Sequence, residues 1–162
     1  MIKYLGSKRR LIPVLQRLCE VADAHTTLDL FTGTTRVAQA FKLTGAHVTA
    51  VDTARYSEVF AQTYVATDAT AVDQHGLREA VDQLNALPGV PGYFTETFCV
   101  RSRFFQPDNG ARVDAIRDAI ERDYAGSPLF PLLLTSLVVA VGAAAWWRRN
   151  RTSARGDRVS PG

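Results

Sequence analysis

The hydrophobic and polar positions of this chain change period several times, and each change marks an element. After a loop at Gly6-Ser7-Lys8, Pro13 suits the first turn of a helix, where its missing N–H has no partner to lose. Leu15, Leu18, Cys19 and Ala22 then recur on one face at helical spacing. Thr27 to Phe31 reads as a buried strand. A helix is predicted from about Thr34 to Leu43, with Val37, Ala38 and Phe41 inward and Gly45 as its stop. His47 to Val51 is the second strand. A strand, a helix and a strand within about 30 residues predict a parallel sheet with a crossover helix.

Polar-rich helical patterns follow at roughly 55–65 and 73–86, ending at Leu87-Pro88-Gly89. The stretch Val90–Phe105 is irregular and mixes Tyr93, Phe94, Phe98, Phe104 and Phe105 with Arg101 and Arg103. Such a mixture either packs a core or stacks bases and meets phosphates. Pro107-Asp108-Asn109-Gly110 predicts a turn. Beyond it, Val113, Ile116, Ile120 and Tyr124 mark an amphipathic helix. Ser127–Trp147 carries no charge over 21 residues and ends in Trp146-Trp147-Arg148-Arg149, a pattern near the membrane-spanning threshold. Pro128 and Pro131 confine its helix to Leu132–Trp147, 16 residues diluted by Thr135, Ser136, Gly142 and alanines, so a buried helix is the expectation. The Arg- and Ser-rich residues 148–162 are expected to be disordered.

Composition changes this picture in two places. With 162 residues and 46% hydrophobic content the chain can bury a core as one globular protein. The net charge of +3 is a property of the tail: residues 148–162 hold five arginines and one aspartate, which leaves the rest at −1. One basic cluster remains in the body, Lys3, Lys8, Arg9 and Arg10. Cys19 and Cys99 form neither a disulfide framework nor a metal-spaced pair, and three scattered histidines predict no zinc site. Met1-Ile2-Lys3-Tyr4 leads into that basic cluster, not into the apolar run of a signal peptide, so a cytoplasmic location is expected.

The candidate chemistry lies at the strand ends. Leu28-Asp29-Leu30-Phe31-Thr32-Gly33-Thr34-Thr35 runs from a strand through a glycine turn into a helix, whose free N–H groups and positive dipole end favour a ligand. Asp29 is placed to face a cationic group such as an ammonium. Asp52 follows the second strand, where a carboxylate accepts hydrogen bonds from ribose hydroxyls. A single glycine, with no triple-glycine phosphate cradle and no P-loop, favours a mononucleoside over a dinucleotide. The bland alternative is that Gly33 only makes a tight turn and both aspartates cap loops.

Lys3-Tyr4-Leu5-Gly6-Ser7-Lys8, Leu28–Thr34, Asp52 and Asn109-Gly110-Ala111-Arg112-Val113-Asp114-Ala115-Ile116-Arg117 occur in an order that resembles the D12 class of N6-adenine DNA methyltransferases, the Dam-like family. The likeness runs from residue 2 to about 137. It implies an α/β, Rossmann-like, S-adenosylmethionine-dependent methyltransferase fold with a helical DNA-contacting insert. It also implies that Tyr4, Lys8, Asp29, Phe31, Gly33, Thr34 and Asp52 bind S-adenosylmethionine. Arg101, Arg103, Asn109 and Arg112 would meet double-stranded DNA, with the target adenine flipped out of the duplex. The domain organisation it implies is a cofactor-binding part at 1–70, a DNA-contacting region at 71–127, the apolar helix at 128–147 and the tail at 148–162.

The sequence departs from the family in one respect. The family's catalytic Asp-Pro-Pro-Tyr motif has no counterpart, because all seven prolines (13, 88, 91, 107, 128, 131 and 161) are isolated. The composition also turns Ala/Val-rich from Val138 and Arg/Ser-rich from Arg148. Together these lead us to expect a truncated or frameshifted, incomplete N-terminal portion, inactive alone, with no catalytic residue of its own and no metal. A complementing C-terminal fragment or a restriction endonuclease would be its partner. The alternatives are a non-catalytic cofactor- or DNA-binding remnant and a protein anchored in a membrane by 128–147. Strands left without their neighbours would expose apolar faces and edges, which predicts marginal stability or aggregation.

Overall fold

The computed structural model describes the backbone of residues 10–156 and the side chains of residues 10–145. The chain divides into two compact units, one within Tyr4–Val72 and one within Asp73–Gly162.

The first unit is a β–α–β arrangement preceded by a helix. Helix α1 spans Ile12–Val21 with Pro13 in its first turn. Cys19 is its buried residue, while Leu18 and Ala22, expected to face inward, are exposed. Strand β1 spans Thr26–Leu30, helix α2 spans Arg36–Leu43 and strand β2 spans His47–Val51. The strands pair in parallel, from Thr26 opposite His47 to Leu30 opposite Val51. Gly45, at φ +86°, takes the left-handed position after α2 and its N–H bonds the Lys42 carbonyl at 3.1 Å, which closes the helix as its sequence predicts. Helix α3, Arg55–Ala61, continues as a π-helical turn over Gln62–Ala66.

Side chains alternate across the two strands. One face, with Asp29 buried and Thr27, Val48 and Ala50 half-buried, lies under α2, whose Val37, Ala38 and Ala40 are buried. Leu28, Leu30, Thr49 and Val51 lie on the other face and are exposed. The reading of β1 as a buried strand therefore holds for one face only. The apolar exposure expected of strands without neighbours is present.

The second unit is helical. Helix α4 spans Gln74–Asn85, and the carboxylate of Asp73 caps it by accepting the N–H groups of His75 and Gly76. The irregular stretch contains a π-helical segment, Thr95–Arg101. Helix α5 spans Pro107–Tyr124 and helix α6 spans Phe130–Gly156. Ala80, Leu84, Ala119, Ile120 and Leu133 form the core, with Leu129, Phe130, Leu134 and Leu137 packed against it. The apolar run thus supplies a core helix. Among the described residues, no helix is long and apolar enough to cross a membrane.

Two expectations are corrected here. Pro107-Asp108-Asn109-Gly110 is the first turn of α5, not a separate turn. Proline costs nothing at that position, Asp108 complements the helix dipole, and Gly110 lets the helix approach its neighbour closely. Helix α6 also extends past Trp147 to Gly156, so the residues expected to be disordered from 148 are helical as far as 156.

Candidate functional site

The turn between β1 and α2 is built from unusual backbone. Phe31, Gly33 and Thr35 all have positive φ, at 60°, 54° and 60°. Only glycine takes that region without strain, and a β-branched threonine there is a true outlier. Strain of this kind persists only where the surroundings fix it, and it concentrates at functional loops. Here the fixing contacts are explicit. The Thr32 N–H bonds the Val51 carbonyl at 3.0 Å and its hydroxyl donates to Asp29 Oδ2 at 2.8 Å. Thr35 is wholly buried; its hydroxyl donates to the Thr34 carbonyl and accepts from Gln39 Nε2, both at 2.8 Å.

Asp29 points into this turn. Its Oδ2 also accepts the Ala38 N–H at 3.1 Å, across nine residues. Thr35, in a left-handed conformation, makes no side-chain cap for α2. Asp29 replaces that cap from the preceding strand and satisfies one of the helix's free N–H groups. Asp29 is 4% exposed.

Asp52 joins the two strand ends. Its Oδ2 accepts the Gly33 N–H at 2.8 Å and its Oδ1 accepts the Ala54 N–H at 2.9 Å. The N–H groups of Ala54 and Gly33 hold its carboxyl below the ordinary carboxylate value, against the opposing effect of partial burial. Asp52 and Thr32 lie at a cleft of about 750 Å³ that runs along the outer side of β2 and is bounded by Lys42, Ser57, Glu58, Gln62 and Val65. Pockets of roughly 300–1,000 Å³ suit small molecules and cofactors.

Of the residues singled out by sequence, Asp29, Phe31, Gly33 and Thr34 share the turn and Asp52 is bonded to it. Phe31 is 76% exposed and Thr34 is half-buried. Tyr4 and Lys8 lie outside the described residues. Arg101, Arg103, Asn109 and Arg112 are exposed and belong to the second unit. Arg101 pairs with Glu96 at 3.0 Å and Arg112 donates to the Asn85 carbonyl at 3.1 Å. Sequence reading missed Thr32 and Thr35, although the Asp29-x-x-Thr32 spacing is a local side-chain bonding pattern that signals them. No group of three or more His, Cys, Asp or Glu among the described residues is arranged to hold a metal.

The D12 class N6 adenine-specific DNA methyltransferase family model matches residues 4–156. The chain belongs to this family. The type II methyltransferase M.NlaIII of Neisseria lactamica is 30% identical over 129 residues, covering 74% of this chain and 38% of that protein. This D12-class chain therefore spans less than two-fifths of the length of that relative. No solved structure matches it. The family match continues through the Ala/Val-rich stretch and into the Arg-rich one. The change of composition near Leu137 is accordingly not where the likeness ends, which removes that support for a frameshift.

Proposed function

We propose that this chain forms the cofactor-binding and part of the DNA-contacting portion of an S-adenosylmethionine-dependent adenine-N6 methyltransferase acting on double-stranded DNA. The observation that carries the cofactor reading is Asp52: an ionised carboxylate at the end of β2, hydrogen-bonded to the glycine turn after β1 and bordering a cleft of nucleoside size. That donor–acceptor set fits a ribose, whose hydroxyls donate to carboxylate oxygens. The fold assigned on this reading is Rossmann-like, with further strands completing the sheet.

When bound, S-adenosylmethionine supplies the methyl group for adenine N6. The chain's own residues bind and orient. Asp52, which lines the cleft, would accept the ribose hydroxyls, Gly33 would allow close approach of the backbone, and Phe31 and Thr34 in the same turn would help to hold the cofactor. Tyr4 and Lys8, outside the described residues, would also contact the cofactor on the family resemblance. Asp29 acts through the turn: it holds Thr32 and the first turn of α2 in place. Arg101, Arg103, Asn109 and Arg112, in the region from 71 to 127, position the DNA backbone. Since these 162 residues contain no Pro-Pro pair, turnover draws its Asp-Pro-Pro-Tyr group from another polypeptide segment, and this chain alone binds without catalysis. A restriction endonuclease of matching specificity is the corresponding biological partner.

Isothermal calorimetry with S-adenosylmethionine tests the reading. Binding by the wild-type chain, weakened about 10- to 100-fold by Asp52→Ala in a variant with unchanged circular dichroism, is the expected result, given about 1.5–3 kcal/mol for hydrogen bonds to a charged group. A folded wild-type chain that does not bind would reduce the methyltransferase reading to ancestry. The membrane-anchor reading is disfavoured by the burial of Leu133 and Thr135 within the second unit.

A further inference from the structure

Helix α3 buries two side chains, Ser57 and Phe60. Phe60 is explained by its packing, edge-on to Tyr56 with ring centroids 5.9 Å apart. Ser57 is not explained that way. It sits in the first turn of the helix, is 0% exposed, and its Oγ makes no hydrogen bond to any described residue. Its backbone is satisfied, because its N–H donates to the Ala54 carbonyl at 2.9 Å. A buried hydroxyl without a partner costs free energy that an alanine at the same place would not. Serines in helices commonly avoid that cost by bonding the carbonyl four residues back. Ser136 does so, donating to the Leu132 carbonyl at 2.8 Å, and Ser57 does not.

The neighbours of the hydroxyl give it a use. Ser57 borders the same cleft as Asp52 and Thr32. The Ala54 N–H on Asp52 Oδ1 ties that carboxylate to the start of α3, and the Gly33 N–H on Oδ2 ties it to the turn after β1. These two N–H groups lower the Asp52 carboxyl most, and the Ser57 hydroxyl adds a smaller lowering. The hydroxyl therefore lies close to the carboxylate without being locked to it. A hydroxyl hydrogen rotates to suit its acceptor, and a serine side chain turns about a single torsion. Ser57 is thus an uncommitted donor on the buried side of a carboxylate whose backbone donors are fixed.

We propose that Ser57 is a positioning residue for Asp52. Its hydroxyl donates to the carboxylate from the buried side when a ribose engages it from the cleft, and so keeps the carboxylate aimed at the ribose hydroxyls. The contact with the nucleoside stays with Asp52, and Ser57 acts through it. This deepens the cofactor reading and rests on it.

Calorimetric binding of S-adenosylmethionine by the full chain tests it, with Ser57→Ala, Asp52→Ala and the double variant, each also unfolded in urea. Ser57→Ala weakens binding about 5- to 10-fold, as expected for the loss of one hydrogen bond. Its urea midpoint stays level or rises, because an unsatisfied buried hydroxyl has been removed. A residue with a merely structural role would not move affinity and stability in those two ways. In the Asp52→Ala background, Ser57→Ala costs nothing further, since the group it positions is gone. Three results overturn the inference and leave the cofactor reading standing: a Ser57→Ala variant with wild-type affinity, one with a lowered urea midpoint, or one with an equal loss in the Asp52→Ala background. A folded wild-type chain that does not bind overturns both.

Discussion

Two buried aspartates do comparable work at places far apart in the chain. Asp29 organises the turn after β1, and Asp114 organises the start of the π-helical segment. Asp114 Oδ2 accepts the N–H groups of Gly92 and Thr95 at 2.8 Å and the Thr95 hydroxyl at 2.7 Å, and Oδ1 accepts the Phe94 N–H at 2.8 Å. Burial pushes its carboxyl up, but the hydrogen bonds from Thr95, Phe94 and Gly92 outweigh this and hold it below the ordinary value. A carboxyl lowered on folding stabilises the native state fully above the unfolded value of about 3.9 and ceases to as pH falls through its folded value. The urea unfolding midpoint should therefore fall as pH drops below about 4. Asp114→Asn, which sets an amide donor against N–H donors, should lose about 3 kcal/mol at neutral pH and show a shallower acid limb. An unchanged acid limb would show that other carboxylates set it. Asp114 lies within the family-like Asn109–Arg117 run, yet nothing local reveals its role, because its partners are 19 to 22 residues away.

Among the elements, α5 shows how context overrides turn propensity. Pro, Asp, Asn and Gly in succession read as a turn by composition. The first helical turn accepts the same residues, and packing decides between them. A Cβ on Gly110 would meet Cys99 Sγ, with Thr95 Cα 3.1 Å away, so only glycine allows α5 this close to the π-helical segment. Gly110→Ala should cost about 1–3 kcal/mol by overpacking, read from the urea midpoint. Cys99→Ala in the same chain should recover part of that loss, a coupling that a double-mutant cycle measures directly. Additive effects would place the clash elsewhere. By contrast, β1, α2 and β2 were legible, because a short apolar run, a helical repeat and a Gly45 stop are local signals. The inward faces were less so. The exposed positions of Leu18 and Ala22 on α1 depend on what packs against the helix, which its own periodicity does not encode.

At the scale of the whole molecule, Leu28, Leu30 and Val51 lie exposed on one face of a two-stranded sheet. Contiguous apolar surface and unpaired strand edges promote association. The chain spans 38% of its Neisseria relative. The isolated chain should self-associate in light scattering, and Leu28→Thr with Leu30→Thr should reduce this with little change in the unfolding midpoint, since both residues are more than half exposed. A cooperative thermal transition from a monodisperse monomer would contradict it.

The sequence by itself determined the β–α–β order, the stop of α2 at Gly45, the core role of the apolar run around Leu133 and the family. The element order and stops follow from periodicities and punctuation a few residues long; the family follows from the ordered motifs that resemble it. Only the tertiary structure decided that Asp29 turns inward, that Asp52 is bonded to the glycine turn and that Asp114 is a buried staple. Each of those outcomes depends on a partner brought from elsewhere in the chain or on a backbone conformation imposed by packing. A linear pattern names the residue types available for such contacts; the folded chain selects which of them meet.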